Sequence, residues 1–401
     1  MASLPERCDM STSFFGKYIV PEAAALRNTD SYRTIPPIDD GAAREILYGG
    51  TRLLNLASNN YLGLSAHPDL IEASAKALSR HGCSSGASRL VTGNFALAET
   101  LEAELATFKY QEAALVTGSG YAANLAVFSA LADRHTVVFS DRLNHASILD
   151  GIALSGARLV RYRHLDMEHL EQLLGRERQV AKKIIVTDTV FSMDGDVAPL
   201  ARLVELGKAH GALTVVDEAH ATGILGRGRG LAAALGLSED VDVHVGTLSK
   251  ALGSQGGYVA GRLETIELLR NRGRSFVFST ALPPAVLGAS LAALRHLKAN
   301  PGEGARLMRM AKAIRDHLSG LGFDTMGSTT QIIPVACGRN RVALHAQALL
   351  RAEGLLVAAV RPPTVPQGTA RLRLSLRADL TEDDLRRVRL GFSRLRVSFF
   401  P

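Results

Sequence analysis

Short apolar runs alternate with amphipathic stretches along the chain between about residue 55 and residue 285. The apolar runs are rich in β-branched residues, which is typical of buried strands, and they predict strands at 114–117, 136–140, 184–188, 213–217, 241–245 and 258–260. The stretches between them have helical periodicity and predict helices that include 96–108, 121–131 and 200–209. Because strands alternate with helices, we predict right-handed βαβ units, an α/β fold and a mostly parallel sheet.

The pattern changes at both ends of this central region. Residues 1–54 are mixed in character and predict an N-terminal arm with a helix at 21–28. Pro283 and Pro284 precede a long helical stretch at 285–299, which Pro301 and Gly302 interrupt. An α+β pattern follows to the end of the sequence. We therefore predict a large α/β domain at 55–285 and a smaller α+β domain at 286–401.

Composition indicates an ordered protein with a large core, because 46% of the 401 residues are hydrophobic and 21% are charged. Cys8, Cys83 and Cys337 are far apart and odd in number, so they fit neither a disulfide framework nor a zinc site. This cysteine usage indicates a reducing compartment, and we expect a cytoplasmic location. Residues 1–15 do not form a signal peptide pattern, and no apolar run of about 18 residues predicts a membrane span.

The net charge is moderately positive, since 46 Lys and Arg residues exceed 39 Asp and Glu residues by seven. The basic residues are scattered, and tryptophan is absent. Nucleic-acid binding favours a contiguous basic stripe with interleaved aromatic residues, so we expect no nucleic-acid partner. The excess charge fits an anionic substrate or an acidic carrier protein, and equally a basic surface without a partner.

One lysine is placed for covalent chemistry. Lys250 belongs to the sequence TLSKALG at 247–253, which directly follows a predicted buried strand. Burial lowers the pKa of a lysine and frees its amine, which an aldehyde cofactor such as pyridoxal phosphate (PLP) captures as a Schiff base. The segment by itself fits a surface lysine equally well.

Other polar residues follow neighbouring predicted strands. Since ligands of open α/β sheets bind at the carboxyl ends of the strands, Asp188, Asp217 and Lys250 are expected at one crevice. Asp217 fits a protonated pyridine nitrogen as its partner, but taken alone an aspartate at this position more often caps the N-terminus of a helix. The turn at 118–121 fits a phosphate at a helix N-terminus or an ordinary βα turn. Asn124 fills the third glycine position of a dinucleotide-binding turn, which argues against a nicotinamide cofactor.

Seven motifs occur together in a fixed order: NNYLGL at 59–64, GASRL at 86–90, SGYAAN at 119–124, NHAS at 144–147, FSMDGD at 191–196, DEAHATG at 217–223 and TLSK at 247–250. Together they resemble the α-oxoamine synthases, which are PLP enzymes of fold type I. The resemblance extends over roughly residues 20–395. It implies an aspartate-aminotransferase-like fold, with a large PLP-binding domain and a smaller C-terminal domain.

The resemblance also implies roles for individual residues. Lys250 would form the Schiff base with PLP and transfer the substrate proton, and Asp217 would pair with the pyridine nitrogen. His220 would hydrogen-bond the ring oxygen, and His145 would stack on the ring. The other implied cofactor residues are Ser119, Gly120, Tyr121, Ser192, Thr247 and Thr280, the last from a second subunit. Asp188 is left out of the catalytic set, because some relatives carry glutamate there.

Substrate residues follow from the same resemblance. Asn59 and Arg373 would bind the amino acid, with Arg373 paired to its carboxylate. Arg27, Arg361 and Thr364 would surround the acyl chain. Two segments, RPPTVP at 361–366 and GTARLRL at 368–374, resemble the branch of the family that condenses L-alanine with a pimeloyl thioester and releases CO2.

The implied partners are L-alanine and an acyl-CoA or acyl-carrier protein, and the implied assembly is a homodimer. No metal is expected at the site. Four alternatives stay open at this point: a family member that uses glycine, an acyl-aminoketone signal synthase, a non-catalytic partner subunit, and an ordinary aminotransferase.

Overall fold

The computed structural model describes residues 13–28, 32–38, 41 and 43–399. Its β-strands in chain order are β1 (Glu45–Tyr48), β2 (Thr51–Asn55), β3 (Ala113–Thr117), β4 (Thr136–Asp141), β5 (Arg158–Tyr162), β6 (Lys182–Asp188), β7 (Leu213–Asp217), β8 (Val243–Thr247), β9 (Gly257–Gly261), β10 (Ile332–Gly338), β11 (Leu355–Leu356), β12 (Ala358–Val360) and β13 (Ala370–Ser375).

The α-helices are α1 (Val20–Asn28), α2 (Pro68–His81), α3 (Ala96–Lys109), α4 (Gly120–Leu131), α5 (Ala146–Ser155), α6 (Met167–Arg176), α7 (Leu200–His210), α8 (Leu231–Ala234), α9 (Leu263–Arg272), α10 (Arg274–Val277), α11 (Pro284–Ala299), α12 (Glu303–Gly320), α13 (Asn340–Ala352) and α14 (Glu382–Phe399). None of the helices in the described ranges combines the length and apolar character that crossing a bilayer requires.

A seven-stranded sheet forms the centre of the molecule, with the order β3-β9-β8-β7-β6-β4-β5. All neighbouring pairs are parallel except those of β9, which runs antiparallel to both β8 and β3. The connection at 248–256 from β8 to β9 is too short for a crossover helix, so the chain must return antiparallel. The predicted α/β class and the mostly parallel sheet are confirmed.

Burial on both faces explains why the sequence signal of the central strands is strong. Every residue of β4, β8 and β9 is buried, and helices pack on both faces of such sheets. The predicted strand at 241–245 is displaced by two residues, because β8 begins at Val243 and ends at Thr247. Val241 is buried before the strand begins. Lys250 therefore follows the strand end by three residues.

The C-terminal part of the chain contains a second sheet with the order β10-β13-β12. A third sheet joins residues 45–55 to residues 355–356, since β2 is antiparallel to β1 and parallel to β11. The part of the predicted arm that includes Cys8 lies outside the described residues. Cys83 and Cys337 have free thiols.

Candidate active site

The carboxyl ends of the parallel strands meet at one edge of the central sheet. Asp188 of β6 is in register with Asp217 of β7, which is in register with Val245 of β8. A cavity of about 160 Å³ opens at this edge. Its walls are formed by Ser119, Gly120, Tyr121, His145, Ser147, Asp188, Ser192, Asp217, Ala219, His220, Thr247, Ser249 and Lys250. Nine residues predicted to bind the cofactor line this one cavity.

Lys250 lies in a tight turn at the cavity wall. Gly253 closes the turn by donating its N–H to the Lys250 carbonyl over 3.0 Å. Its φ is +64°, and a Cβ atom there would lie 2.4 Å from the backbone nitrogen of Ser65, so the position requires glycine. Desolvation lowers the pKa of Lys250, against the attraction of Asp217 and Asp188. A lowered pKa makes the free amine available as a nucleophile and as a proton acceptor.

Asp217 is a buried carboxylate that accepts hydrogen bonds from neutral donors. Its Oδ1 accepts the Ala219 N–H over 2.9 Å, and its Oδ2 accepts from Asn124 Nδ2 over 2.8 Å. Asp217 forms no ion pair with any described residue. A buried carboxylate without a cation is costly, and a protonated ring nitrogen would supply that partner. Sequence reasoning missed the role of Asn124, although a polar residue on the buried face of an otherwise apolar helix is a usable signal.

His220 is oriented by a side chain that sequence reasoning also missed. Its Nδ1 lies 2.7 Å from the hydroxyl of Tyr61, and the Tyr61 ring is fully buried. Desolvation and the charges of Lys250 and Arg373 lower the pKa of His220 well below its ordinary value. The imidazole is therefore neutral near pH 7. With Nδ1 bonded to Tyr61, Nε2 remains for a ligand in the cavity.

His145 is the N-cap residue of helix α5 and lines the cavity, and its backbone N–H donates to Asp188 Oδ2 over 2.8 Å. Part of the ring is exposed. Desolvation of the rest lowers its pKa, and the Lys250 charge acts in the same direction. Desolvation, followed by the nearby charge of Asp217, raises the pKa of Asp188 well above the usual aspartate range. Asp188 thus lines the cavity as an acid of raised pKa that holds the backbone of His145, a role that the sequence did not indicate.

The cavity ends at the N-terminus of helix α4. The Ser119 hydroxyl caps the helix by accepting the Ala122 N–H over 3.0 Å. Thr247 packs beside Gly120, where a Cβ atom would lie 3.3 Å from the Thr247 side chain. The Thr247 hydroxyl lies 2.6 Å from that of Ser249. Backbone N–H groups, a helix dipole and several hydroxyls together suit a phosphate group.

Arg373 contacts Asn59, the other residue predicted to bind the amino acid, and neither of them is a lining residue of the Lys250 cavity. Arg373 Nε donates to the Ser192 carbonyl over 2.6 Å, and its Nη1 donates to the Ser375 hydroxyl over 2.6 Å. Its Nη2 donates to Asn59 Oδ1 over 3.1 Å and to the Tyr61 hydroxyl over 3.3 Å. Arg373 and Asn59 are therefore bonded to each other. Tyr61 links both of them to His220.

The remaining predicted residues lie elsewhere. Arg27, Arg361 and Thr364 come together at a second cavity of about 490 Å³, which shares no lining residue with the Lys250 cavity. Arg33 and Arg351 also line it, and neither was predicted; Arg33 Nη2 donates to the Thr364 hydroxyl over 2.9 Å. Thr280 does not line the Lys250 cavity either. It is exposed and forms an isolated β-bridge with Ser88.

The Lys250 cavity fits PLP in its chemistry. It offers an amine of lowered pKa, a buried carboxylate that accepts hydrogen bonds from the neutral donors Ala219 and Asn124, a neutral imidazole and a helix N-terminus. The sequence model of aminotransferase class I and II matches residues 51–389. The chain belongs to this family. The names of its curated relatives indicate which activity within this family to expect.

Two curated relatives are both named 8-amino-7-oxononanoate synthase. The one from Geobacter sulfurreducens is 50% identical over 380 residues, which cover 94% of this chain and 97% of the relative. The one from Anaeromyxobacter dehalogenans is 51% identical over 362 residues, which cover 90% of this chain and 91% of the relative.

Solved structures share the fold. A variant of serine palmitoyltransferase from S. paucimobilis with a bound PLP–myriocin aldimine has a TM-score of 0.90 at 33% identity, covering 96% of this chain and 99% of that one. The 8-amino-7-oxononanoate synthase from Francisella tularensis has a TM-score of 0.73 at 27% identity, covering 86% and 98%. The expected fold, a type I PLP enzyme with a smaller C-terminal domain, is confirmed.

Proposed function

We propose that this chain is a PLP-dependent acyltransferase that condenses L-alanine with a pimeloyl thioester. The products are 8-amino-7-oxononanoate, CO2 and the free thiol, as in biotin biosynthesis. One observation carries this proposal: relatives named for this product are about 50% identical over more than nine-tenths of this chain. The free thiols of Cys83 and Cys337 fit a cytoplasmic enzyme.

Five residues of the cavity would hold PLP. Lys250 would hold it covalently, Asp217 would pair with its ring nitrogen, and His220 Nε2 would bond its ring oxygen. Ser119 and Thr247 would meet its phosphate. When bound, PLP withdraws electrons from the Cα atom of an amino acid.

Residues of this chain then control the substrate protons. The Lys250 amine, with its lowered pKa, accepts the Cα proton of alanine and later returns a proton to the product. Arg373 and Asn59 would bind the amino-acid carboxylate, and Arg373 donates to the carbonyl of Ser192, which lines the cavity. Asp188 holds the backbone of His145, whose side chain also lines the cavity.

The second cavity suits the acyl substrate. Arg27, Arg33, Arg351 and Arg361 line it, and arginine binds a carboxylate through two parallel N–H groups. A pimeloyl chain ends in a carboxylate, which an acetyl or palmitoyl chain lacks. The four arginines therefore favour a dicarboxylic acyl group.

We further propose a homodimer in which Thr280 acts on the partner's cofactor phosphate. Thr280 is exposed in one chain, so another surface must cover it for this role. Exposed apolar side chains lie near it in sequence or across its bridge to Ser88: Phe278 is 75% exposed, Leu90 52% and Val91 74%. Burial of these side chains against a second copy would stabilise the dimer.

Acyl transfers to serine and to glycine must be distinguished experimentally from the proposed reaction. The similarity to serine palmitoyltransferase favours L-serine with palmitoyl-CoA as the second candidate. The family resemblance also includes members that use glycine with acetyl- or succinyl-CoA.

A CO2-release assay with the holoenzyme separates these reactions. Alanine, glycine and serine are each combined with pimeloyl-, succinyl-, acetyl- and palmitoyl-thioesters, with CoA and with a carrier protein as the thiol. We expect the highest kcat/KM with alanine and a pimeloyl thioester. A preference for serine with palmitoyl-CoA, or for glycine with acetyl-CoA, would contradict the proposal.

A further inference from the structure

Two histidines and two carboxylates meet at the junction of three helices, away from the Lys250 cavity. His67 caps helix α2, and Asp69 lies in its first turn. His296 lies in the last turn of α11, and Glu303 lies in the first turn of α12. The imidazole rings of His67 and His296 are in edge-on contact, with 4.8 Å between their centroids.

The potential ligand atoms of this cluster lie close together. One ligand atom from each of His67, Asp69 and His296 lies within 4.8 Å of the other two. His296 Nε2 also lies 3.2 Å from both carboxylate oxygens of Glu303. Ligands of a tetrahedral zinc ion are roughly 3.3 Å apart, as follows from bond lengths of about 2.0 Å. Asp69 Oδ2 lies 3.8 Å from His67 Nδ1, and its side chain is 73% exposed, so it can change rotamer without displacing core residues.

Hydrogen bonding within the cluster accounts for only part of this arrangement. His67 Nδ1 accepts the Asp69 N–H over 3.3 Å, and His296 bonds Glu303. Neither bond requires the two imidazoles to meet. Two imidazoles with flanking carboxylates form a ligand set that suits zinc and other late transition metals better than magnesium or calcium.

We propose that His67, Asp69 and His296 bind a divalent transition-metal ion such as Zn²⁺, with Glu303 as the fourth ligand. A solvent-filled groove of about 680 Å³ between α2 and α11 provides the entry path, since Asp69 and His296 both line it.

The location gives the metal a structural effect. The site would join the first turn of α2 to the end of α11 and the start of α12. Since the folded chain alone assembles these ligands, the ion would stabilise the folded state by binding linkage.

The test is a titration of EDTA-treated, full-length holoenzyme with ZnCl2, followed by calorimetry and thermal unfolding. A Cys83→Ser background removes an exposed competing thiol. We expect one equivalent of zinc to bind and to raise the melting temperature by at least about 2 °C. Absence of a binding step beyond that of a buffer control would overturn the proposal.

Variants assign the site. His67→Asn keeps an N-cap residue and removes the imidazole, and His296→Gln removes the second ligand. We expect each to weaken zinc binding at least tenfold while the melting temperature in EDTA changes little for His67→Asn. His81→Ala, in the same helix and groove, is the matched control and should bind zinc as the parent does. Equal zinc affinity in the parent and in His67→Asn would place the ion elsewhere and refute the assignment.

Discussion

Asp217 and Glu218 are adjacent in sequence and both carboxylates are buried, yet their surroundings differ. Glu218 forms a buried ion pair with Lys109, accepts the Ala232 N–H over 3.0 Å and lies 3.4 Å from His244 Nδ1. Although burial opposes ionisation, Lys109 and His244 lower the pKa of Glu218 to about 2. Asp217 forms no contact ion pair with any described residue, although the nearby Lys250 amine attracts it.

The difference separates a structural carboxylate from a functional one. A buried structural carboxylate needs an oppositely charged group inside the fold, and Glu218 has one in Lys109. A site for a cationic ring instead leaves its carboxylate with neutral donors until the ligand arrives. Lys109 thus supplies the positive charge beside Glu218, and the proposed cofactor would supply the positive charge beside Asp217.

Lys250→Ala tests the functional half of this contrast and should have the largest effect. We expect complete loss of CO2 release from alanine and pimeloyl thioester, and loss of the visible absorbance of the bound cofactor. Both losses follow because the substituted side chain has no amine. Lys208→Ala, which removes an exposed surface lysine, is the control. A Lys250→Ala protein that still turned over would contradict the assignment.

Lys109→Met tests the structural half. It leaves the Glu218 charge buried without its cation, so we expect the free energy of unfolding to fall by roughly 3–5 kcal/mol. Urea denaturation measures the change. The double variant with Glu218→Gln should recover part of the loss, because the unpaired charge is removed as well. A single variant as stable as the parent would show that the pair contributes little.

His164 provides a second test of a structural charge, through the pH dependence of stability. It lies between Asp141 and Asp196, with nitrogen–oxygen distances of 2.9 and 2.8 Å. Although burial opposes it, these hydrogen bonds raise the pKa of His164 to about 9. An unfolded histidine titrates near 6.5, so this stabilisation is complete below about pH 6.5 and is lost as the pH rises to about 9.

The expected loss across that range is at most about 3.5 kcal/mol in the free energy of unfolding, because a rise in pKa from 6.5 to about 9 corresponds to about 1.4 kcal/mol per pH unit. Urea denaturation between pH 6 and pH 9.5 measures it. His164→Gln should flatten this part of the profile. An unchanged slope in that variant would mean that other groups cause the pH dependence.

Asp217→Asn should have the smallest effect on folding. We expect the unfolding free energy of the cofactor-free protein to change by at most about 1 kcal/mol. Asn124 Oδ1 is buried without a partner, so a flip of this amide would provide the acceptor that the introduced carboxamide needs. PLP affinity, measured by equilibrium dialysis, should fall at least tenfold. If Asp217→Asn destabilised the protein as much as Lys109→Met does, the contrast between the two carboxylates would fail.

The central strands could be predicted because their residues are buried on both faces and form continuous apolar runs. Strand β5 was missed because it lies at the edge of the sheet and only Tyr162 of its sequence Arg-Leu-Val-Arg-Tyr is buried, so it forms no continuous apolar run. The small sheet of β1, β2 and β11 was missed for another reason. It pairs segments about 300 residues apart, and local periodicity carries no information about such pairing.

Among the site residues, the comparisons confirm the family and not the individual roles. The motifs predicted Lys250, Asp217 and His220, and the structure brings them to one cavity. Tyr61, Asn124 and Asp188 were not assigned roles, because each acts through a contact with a residue that is distant in sequence: His220, Asp217 and His145, respectively.

The sequence by itself determined the family, the α/β class and the lysine that follows a buried strand. These depend on residue types at fixed local spacing. Only the tertiary structure decided which buried charges have partners. Lys109, which is 109 positions from Glu218 in the sequence, forms an ion pair with it. Asp217, the neighbour of Glu218, instead accepts a hydrogen bond from the side-chain amide of Asn124. The free energy of a buried charge depends on the atoms around it, and folding alone brings those atoms together.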